Sequence, residues 1–401
     1  MVEKSVDKPA MVLGIALVWF SAHIGGGFAS GATLYTYFIN QSAACLWLPI
    51  VSLAMIAFVY WWGWRYAQVH GTYDYRSFNN SFYGKYAPVF SNLYEVLIVF
   101  VVIIGAAVAF ATGASVLESL VGIPYVPASL IVGGVIFLVC IFGTNVIRRM
   151  SVVFSVLMVC ALLMIYVPAI ALHGDAIAAN LANMASAQPA ADASSAPSGT
   201  LALPALGMAL MYGVFQASDV ALYVQHMRPV KNARSVGKAM VASYFMNLVF
   251  VTLAMLGLLT VAGMPGIADE PVPLLTVIAG LPGGGALGVV AGLLIAIACI
   301  STAVMFTGGM VKRLCVLTEG SEAVEQAEDA LRPTMRSVLF TALCVIVCCL
   351  VAQFGLLPLV SKGYSLLGYV AIFVVTVPYV ANFIWCKTKV RHGQRSQEGA
   401  Q

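Results

Sequence analysis

Charge is what this sequence has least of. Only 9% of its 401 residues are Asp, Glu, Lys or Arg, while 61% are hydrophobic; an ordinary soluble domain carries roughly 25% charged residues. A soluble fold of this length could not cover its surface with so little charge. Other absences narrow the reading. The nine cysteines form no CxxC and no pair in an outer loop, so reduced core thiols are expected, with neither a disulfide nor a metal centre. There is no HExxH, no GxSxG and no pair of carboxylates at helical spacing within an apolar run, which argues against an enzyme and against a cofactor. The net charge of +4 has no long basic run behind it and suggests no nucleic-acid partner. No required protein partner is evident. Met1 to Pro9 is polar and lacks a small-residue cleavage site, so no removable signal peptide is expected.

What is present is a series of long uncharged stretches: Ala10–Trp64, Val96–Leu117, Ser119–Ile147, Ala239–Ala268, Pro271–Val311, Ser337–Ser361 and Gly363–Cys386. A spanning helix needs about 20 apolar residues. Divided at their turn signals, these stretches predict an all-α integral membrane protein with ten transmembrane helices. The spans are Pro9–Ile39, Ala43–Trp64, Ser91–Val121, Pro127–Phe142, Met150–Leu172, Pro204–Met227, Ala233–Gly263, Ala286–Cys315, Met335–Val351 and Leu356–Cys386. With this division 19 of the 20 Lys and Arg residues fall on one side, Lys362 being the exception. By the positive-inside rule that side is the cytoplasm, with both termini there. The domains are 1–172, a first set of five helices; 173–203, an outer flexible linker rich in Ala, Ser and Pro; 204–386, a second set of five; and 387–401, a cytoplasmic tail. Glu319–Asp329 reads as a short surface helix.

Two spans carry the chemistry. The first reads Ser21-Ala22-His23-Ile24-Gly25-Gly26-Gly27-Phe28-Ala29-Ser30-Gly31. Three adjacent glycines at mid-bilayer each weaken a helix by about 1 kcal/mol relative to Ala, and unwound backbone survives there only beside protein or a water-filled cavity. Such a break presents N–H groups to an anion; close helix packing through Gly27 and Gly31 is the other reading. The sixth span reads Phe215-Gln216-Ala217-Ser218-Asp219. Its carboxylate costs at least about 2.5 kcal/mol at a helix centre, and no other span offers a Lys or Arg at that depth. The first helix of each half is therefore the polar, interrupted one, as in an inverted-repeat transporter. His23 either lines the cavity or is a hydrogen-bonded packing histidine.

These residues carry a resemblance. The Gly-rich break, the acidic break and the basic loop Arg228-Pro229-Val230-Lys231-Asn232-Ala233-Arg234 resemble the amino acid–polyamine–organocation (APC) superfamily. The run Gly26-Gly27-Phe28-Ala29-Ser30-Gly31 is similar to that of YkvI-type bacterial membrane proteins, although Ala32-Thr33 stands where that group has Gln-Glu. The resemblance implies a five-plus-five inverted repeat of the LeuT fold with broken first and sixth helices. It supplies no substrate. The N–H groups of the first break and the carboxylate of the second are read as the site of a secondary transporter for a small amine-bearing solute, an amino acid first of all, bound by Gly25, Gly26, Gly27, Phe28, Phe215, Ser218 and Asp219. The resemblance also implies sodium as the coupling ion: the run Ala298-Cys299-Ile300-Ser301-Thr302 matches a pattern that gives sodium a carbonyl and two hydroxyls, completed by carbonyls around Ser21 and Ile24. The alternatives are proton coupling through Asp219 or His23, and a transporter-like sensor that binds its solute without moving it. The partners expected are the solute and the lipid bilayer.

Overall fold

The structure, a computed structural model, describes residues 7–41, 43–142, 144–186, 203–319 and 334–398. All regular elements among them are helices. In chain order these are α1 (Pro9–His23), α2 (Gly26–Ala29), α3 (Ala32–Tyr37), α4 (Leu48–His70), α5 (Tyr75–Tyr83), α6 (Ala87–Val121), α7 (Tyr125–Phe142), α8 (Thr144–Leu172), α9 (Gly174–Ser186), α10 (Leu203–Ala217), α11 (Ala233–Leu259), α12 (Pro273–Ala279), α13 (Gly284–Glu319), α14 (Met335–Ala352) and a last helix that begins at Leu356. Seven are long and apolar enough to cross a membrane, and two bent pairs raise the number to as many as nine. The first expected span is not one helix. α1 has 15 residues and so rises about 22 Å, short of the roughly 30 Å of hydrocarbon; α2 and α3 continue it after a break.

Two expectations need correction. The first stretch of the linker is helical: α9 leaves α8 at 79°, with Asp175 in its first turn and Ile177 buried. Leu181 and Met184 follow Ile177 at helical spacing and pack on the core, while the Asn180 amide donates to Leu259 O at 2.8 Å and so satisfies a carbonyl at the end of α11. The Ala-rich composition of this segment hides an amphipathic stripe of Ile177, Leu181 and Met184. The rest of the linker and most of Glu319–Asp329 lie outside the described residues. Between the second and third spans the stretch around Arg76 is helical as well. Asp74 caps α5 by accepting the N–H groups of Arg76 and Ser77 at 3.1 and 3.0 Å, and Phe78, Asn79, Phe82 and Tyr83 form its buried face. In the seventh span the helix stops at Leu259 and turns follow to Gly263.

Glycines let the central helices approach closely. A Cβ at Gly105 of α6 would meet the Phe306 ring of α13 at 2.8 Å. At one end of this pair Glu95 of α6 binds both Arg76 of α5, at 2.9 Å, and Arg313 of α13. The last helix contains two π turns, Leu359–Gly363 and Ile372–Thr376, which leave backbone carbonyls poorly paired. A tyrosine from elsewhere donates to each: Tyr37 to Val360 O at 3.0 Å and Tyr83 to Val374 O at 2.8 Å.

Candidate functional site

The first break follows from its glycines. α1 ends at His23, with the Ile24 N–H still bonded to Phe20 O at 3.2 Å. α2 restarts with Ala29 N–H on Gly25 O at 2.9 Å, and between these two bonds the N–H groups of Gly25 and Gly27 bond no described residue. The glycines differ in what surrounds them. A Cβ at Gly27 would lie 3.0 Å from Thr33 Oγ1 and 3.3 Å from Val108 Cγ1. Gly31 has a left-handed φ of +87° and faces Leu258 at 2.9 Å, so the packing reading holds for these two. At Gly25 the nearest atom to an added Cβ is Thr302 Oγ1 at 3.9 Å, an ordinary contact distance, so a methyl group fits there.

The second break lies at Ser218 and Asp219, where α10 gives way to a 3-10 segment, Val220–Met227, bent by 49°. Its loose polar groups find partners on neighbouring helices, as buried backbone requires. Tyr94 donates to Ser218 O at 2.6 Å and accepts the Ala221 N–H at 3.2 Å, and Trp64 Nε1 donates to Val220 O at 3.0 Å. Ser218 Oγ is occupied by Phe215 O at 2.5 Å. The Tyr60 phenol donates to Asp219 Oδ1 at 2.5 Å.

The two breaks face each other across one cavity of about 90 Å³. Of the residues expected to bind solute, Gly25, Gly27, Phe28, Phe215, Ser218 and Asp219 line it. Gly26 lies between two of them at the start of α2. Phe215 stacks on Tyr364, with ring centroids 4.3 Å apart. Of the residues expected at the ion, Thr302 lines the cavity; Ser21, Ile24, Ala298 and Ser301 stand outside its lining. Ser21 is exposed, with its hydroxyl on Val18 O at 3.1 Å, which leaves only its carbonyl in question. Ser301 and Thr302, unlike Ser21, make no side-chain hydrogen bond with a described residue.

His23 also lines the cavity, and its tautomer can be read from its partners. Asn247 Nδ2 donates to Ser243 O at 2.9 Å, which turns Asn247 Oδ1 toward His23 Nδ1 at 2.6 Å. The proton is therefore on Nδ1, and Nε2 accepts from the Tyr212 hydroxyl. Gln216 Nε2 donates in turn to Tyr212 at 3.3 Å. Among the described residues no Lys or Arg lines the cavity. Sequence reasoning missed Tyr60, Tyr94, Tyr364 and Asn247, which no local sequence pattern marks.

No family model matches this chain, and no curated protein matches it. Among solved structures it is similar to a Na+-coupled sialic acid symporter in a substrate-bound outward-open state, at 12% identity and a TM-score of 0.46, over 93% of this chain and 85% of that one. It is also similar to a manganese transporter of Eremococcus coleocola in complex with an aromatic bis-isothiourea compound, at 14% identity and a TM-score of 0.43, over 98% of each chain.

Proposed function

We propose that this chain is a secondary transporter of a small amine-bearing solute, an amino acid first of all, working by alternating access in the bacterial inner membrane. The reading takes the chain as ten spans in two inverted sets of five, LeuT-like, with both termini cytoplasmic. Support comes from corresponding positions of the two halves. The first helix of each is the interrupted one, and a short helix follows the second of each, α5 and α12.

The observation that carries the reading is Asp219, a carboxylate at a helix break, lining a cavity in which no described cation answers it. A buried carboxylate without a basic partner is held at a large cost in hydrocarbon, and an ammonium group brought by the solute relieves it. Across the cavity, the free N–H of Gly25 is suited to the solute's carboxylate. A cavity of about 90 Å³ is well below the roughly 300–1,000 Å³ of pockets for larger ligands, so the solute is small. Sodium is the proposed co-transported ion. Thr302 Oγ1 stands beside Gly25, and oxygen donors with unwound carbonyls suit a hard cation. Proton coupling is the second reading, favoured by the presence of His23 in the same lining.

Uptake of labelled amino acids by the purified protein in liposomes tests the transport reading, and the driving ion separates the two couplings. An inward sodium gradient should be required, and the paired change Ser301→Ala with Thr302→Ala should remove the requirement. Full uptake in sodium-free choline buffer under a pH gradient would move the assignment to the proton. Binding of an amine without any accumulation would leave a sensor.

A further inference from the structure

A second and much larger cavity lies away from Asp219. It is a groove of about 1390 Å³ bordered by α4, the turn Gly84–Tyr86 and the last helix, at the end of the molecule where the basic loops gather. Its walls are apolar and aromatic, with Trp61, Trp62, Phe373 and Phe383 prominent. Three exposed cations, Arg65, Lys85 and Lys387, stand on its rim, and no Asp or Glu is among the described residues that line it.

Each of these cations rests against a ring, and none pairs with a carboxylate among the described residues. Arg65 lies 6.0 Å from the Trp61 ring, Lys85 4.9 Å from Tyr86 and Lys387 4.5 Å from Phe383. Elsewhere at the same end, Arg76 and Arg313 share Glu95, and Arg336 meets Glu319. Three like charges around one apolar groove repel one another and are best answered by an anion. A soluble anion would leave the aromatic walls uncovered, and a neutral apolar ligand would leave the charges unanswered. An amphiphile with an anionic head satisfies both. In a bilayer that molecule is an anionic phospholipid, which basic clusters beside spanning helices attract; tryptophans beside them suit the headgroup level.

We propose that this groove binds one anionic phospholipid of the leaflet next to the basic loops, its phosphate among Arg65, Lys85 and Lys387 and its acyl chains along Trp61, Phe373 and Phe383. The proposal is independent of what the chain transports. The lipid also abuts a joint in the fold, because Tyr83 in the groove lining is the residue that bonds the π turn at Val374.

The test uses the purified full-length chain, titrated in detergent with phosphatidylglycerol, with phosphatidylcholine of the same chains and with inorganic phosphate. Bound lipid is read by native mass spectrometry, and chain contact by tryptophan quenching with brominated forms of both lipids. Phosphatidylglycerol should be preferred roughly tenfold or more, given about one strong attraction per basic residue, and should quench more strongly. Arg65→Gln, Lys85→Gln and Lys387→Gln combined should remove the preference. A control of equal charge loss, Arg228→Gln, Arg234→Gln and Lys238→Gln, should keep it, as should Lys85→Arg with Lys387→Arg. Equal binding of the two lipids by the unaltered protein would overturn the proposal without any variant. So would inorganic phosphate competing as well as the lipid, or the control losing the preference equally.

Discussion

Tyr60 and Asp219 are 159 positions apart in the chain, and the phenol of one donates to the carboxylate of the other at 2.5 Å. The contact holds Asp219 at the cavity, whose lining has no Lys or Arg among the described residues. Tyr60 also ties the break to the aromatic packing between α4 and α1, where its ring lies 4.9 Å from Trp64 and 5.8 Å from Trp19. In the proposed function, a carboxylate fixed in this way receives the cationic group of the solute.

Asp219→Asn should weaken binding of an amine-bearing solute by about 2 kcal/mol or more, the scale of a lost charged hydrogen bond, with the protein still folded. Tyr60→Phe should weaken it less and lower thermal stability by about 1–3 kcal/mol, since it leaves a buried acceptor short of a donor. Because the two residues touch, the double variant should depart from additivity by at least about 0.5 kcal/mol. Isothermal titration with all four proteins measures this; strict additivity would separate Tyr60 from the site.

The glycines of the first break should divide by role. Gly25→Ala meets nothing closer than 3.9 Å and should leave the melting midpoint nearly unchanged while reducing solute binding. Gly27→Val forces a side chain onto Thr33 and Val108 and should lower the yield of folded protein. If Gly25→Ala binds normally, the solute's carboxylate is held elsewhere.

Outside the spans, Asp7 docks the N-terminal segment on the loop before α11 by accepting the N–H groups of Lys231 and Asn232 at 3.1 and 3.0 Å. Burial pushes its carboxyl up, but the hydrogen bonds from Ser235, Lys231 and Asn232 and the charge of Lys231 outweigh that and hold it below the ordinary 3.8. A depressed folded value means that the contact stabilises the native state above the unfolded value, and that this is lost as pH falls through the folded value. The melting midpoints of the unaltered protein and of Asp7→Ala should differ by a constant amount from pH 7 to about 5. They should converge at pH values below 3.8. A gap still at full size at pH 3 would rule out this linkage.

Orientation can be tested at exposed sites that the fold places at either end. In a background without reactive cysteines, Asp175→Cys should react with an impermeant thiol reagent added outside intact cells, and Arg234→Cys should react only after permeabilisation. The reverse pattern would invert the proposed topology.

Sequence alone determined that the chain lies in a membrane and where its helices are interrupted. The reason is physical: hydrocarbon tolerates neither charge nor unpaired backbone, so uncharged runs mark the spans, and Gly25–Gly27 and Asp219 stand out as exceptions that need a cavity. The expectation that these two breaks share one site follows from that logic, and the structure brings Gly25, Gly27, Phe28, Phe215 and Asp219 onto one lining. Only the tertiary structure decided which partners complete it. No local sequence pattern marks Tyr60, Tyr94 and Asn247, and their meaning lies in contacts 124 to 224 residues away along the chain. It likewise separated Gly25, where a Cβ would meet nothing closer than 3.9 Å, from Gly27 and Gly31, where it would crowd side chains, because a glycine reads the same in sequence whatever lies at its missing Cβ. And it gathered Arg65, Lys85 and Lys387 around one groove, since like charges scattered over three loops become a site only when folding gives them a common wall.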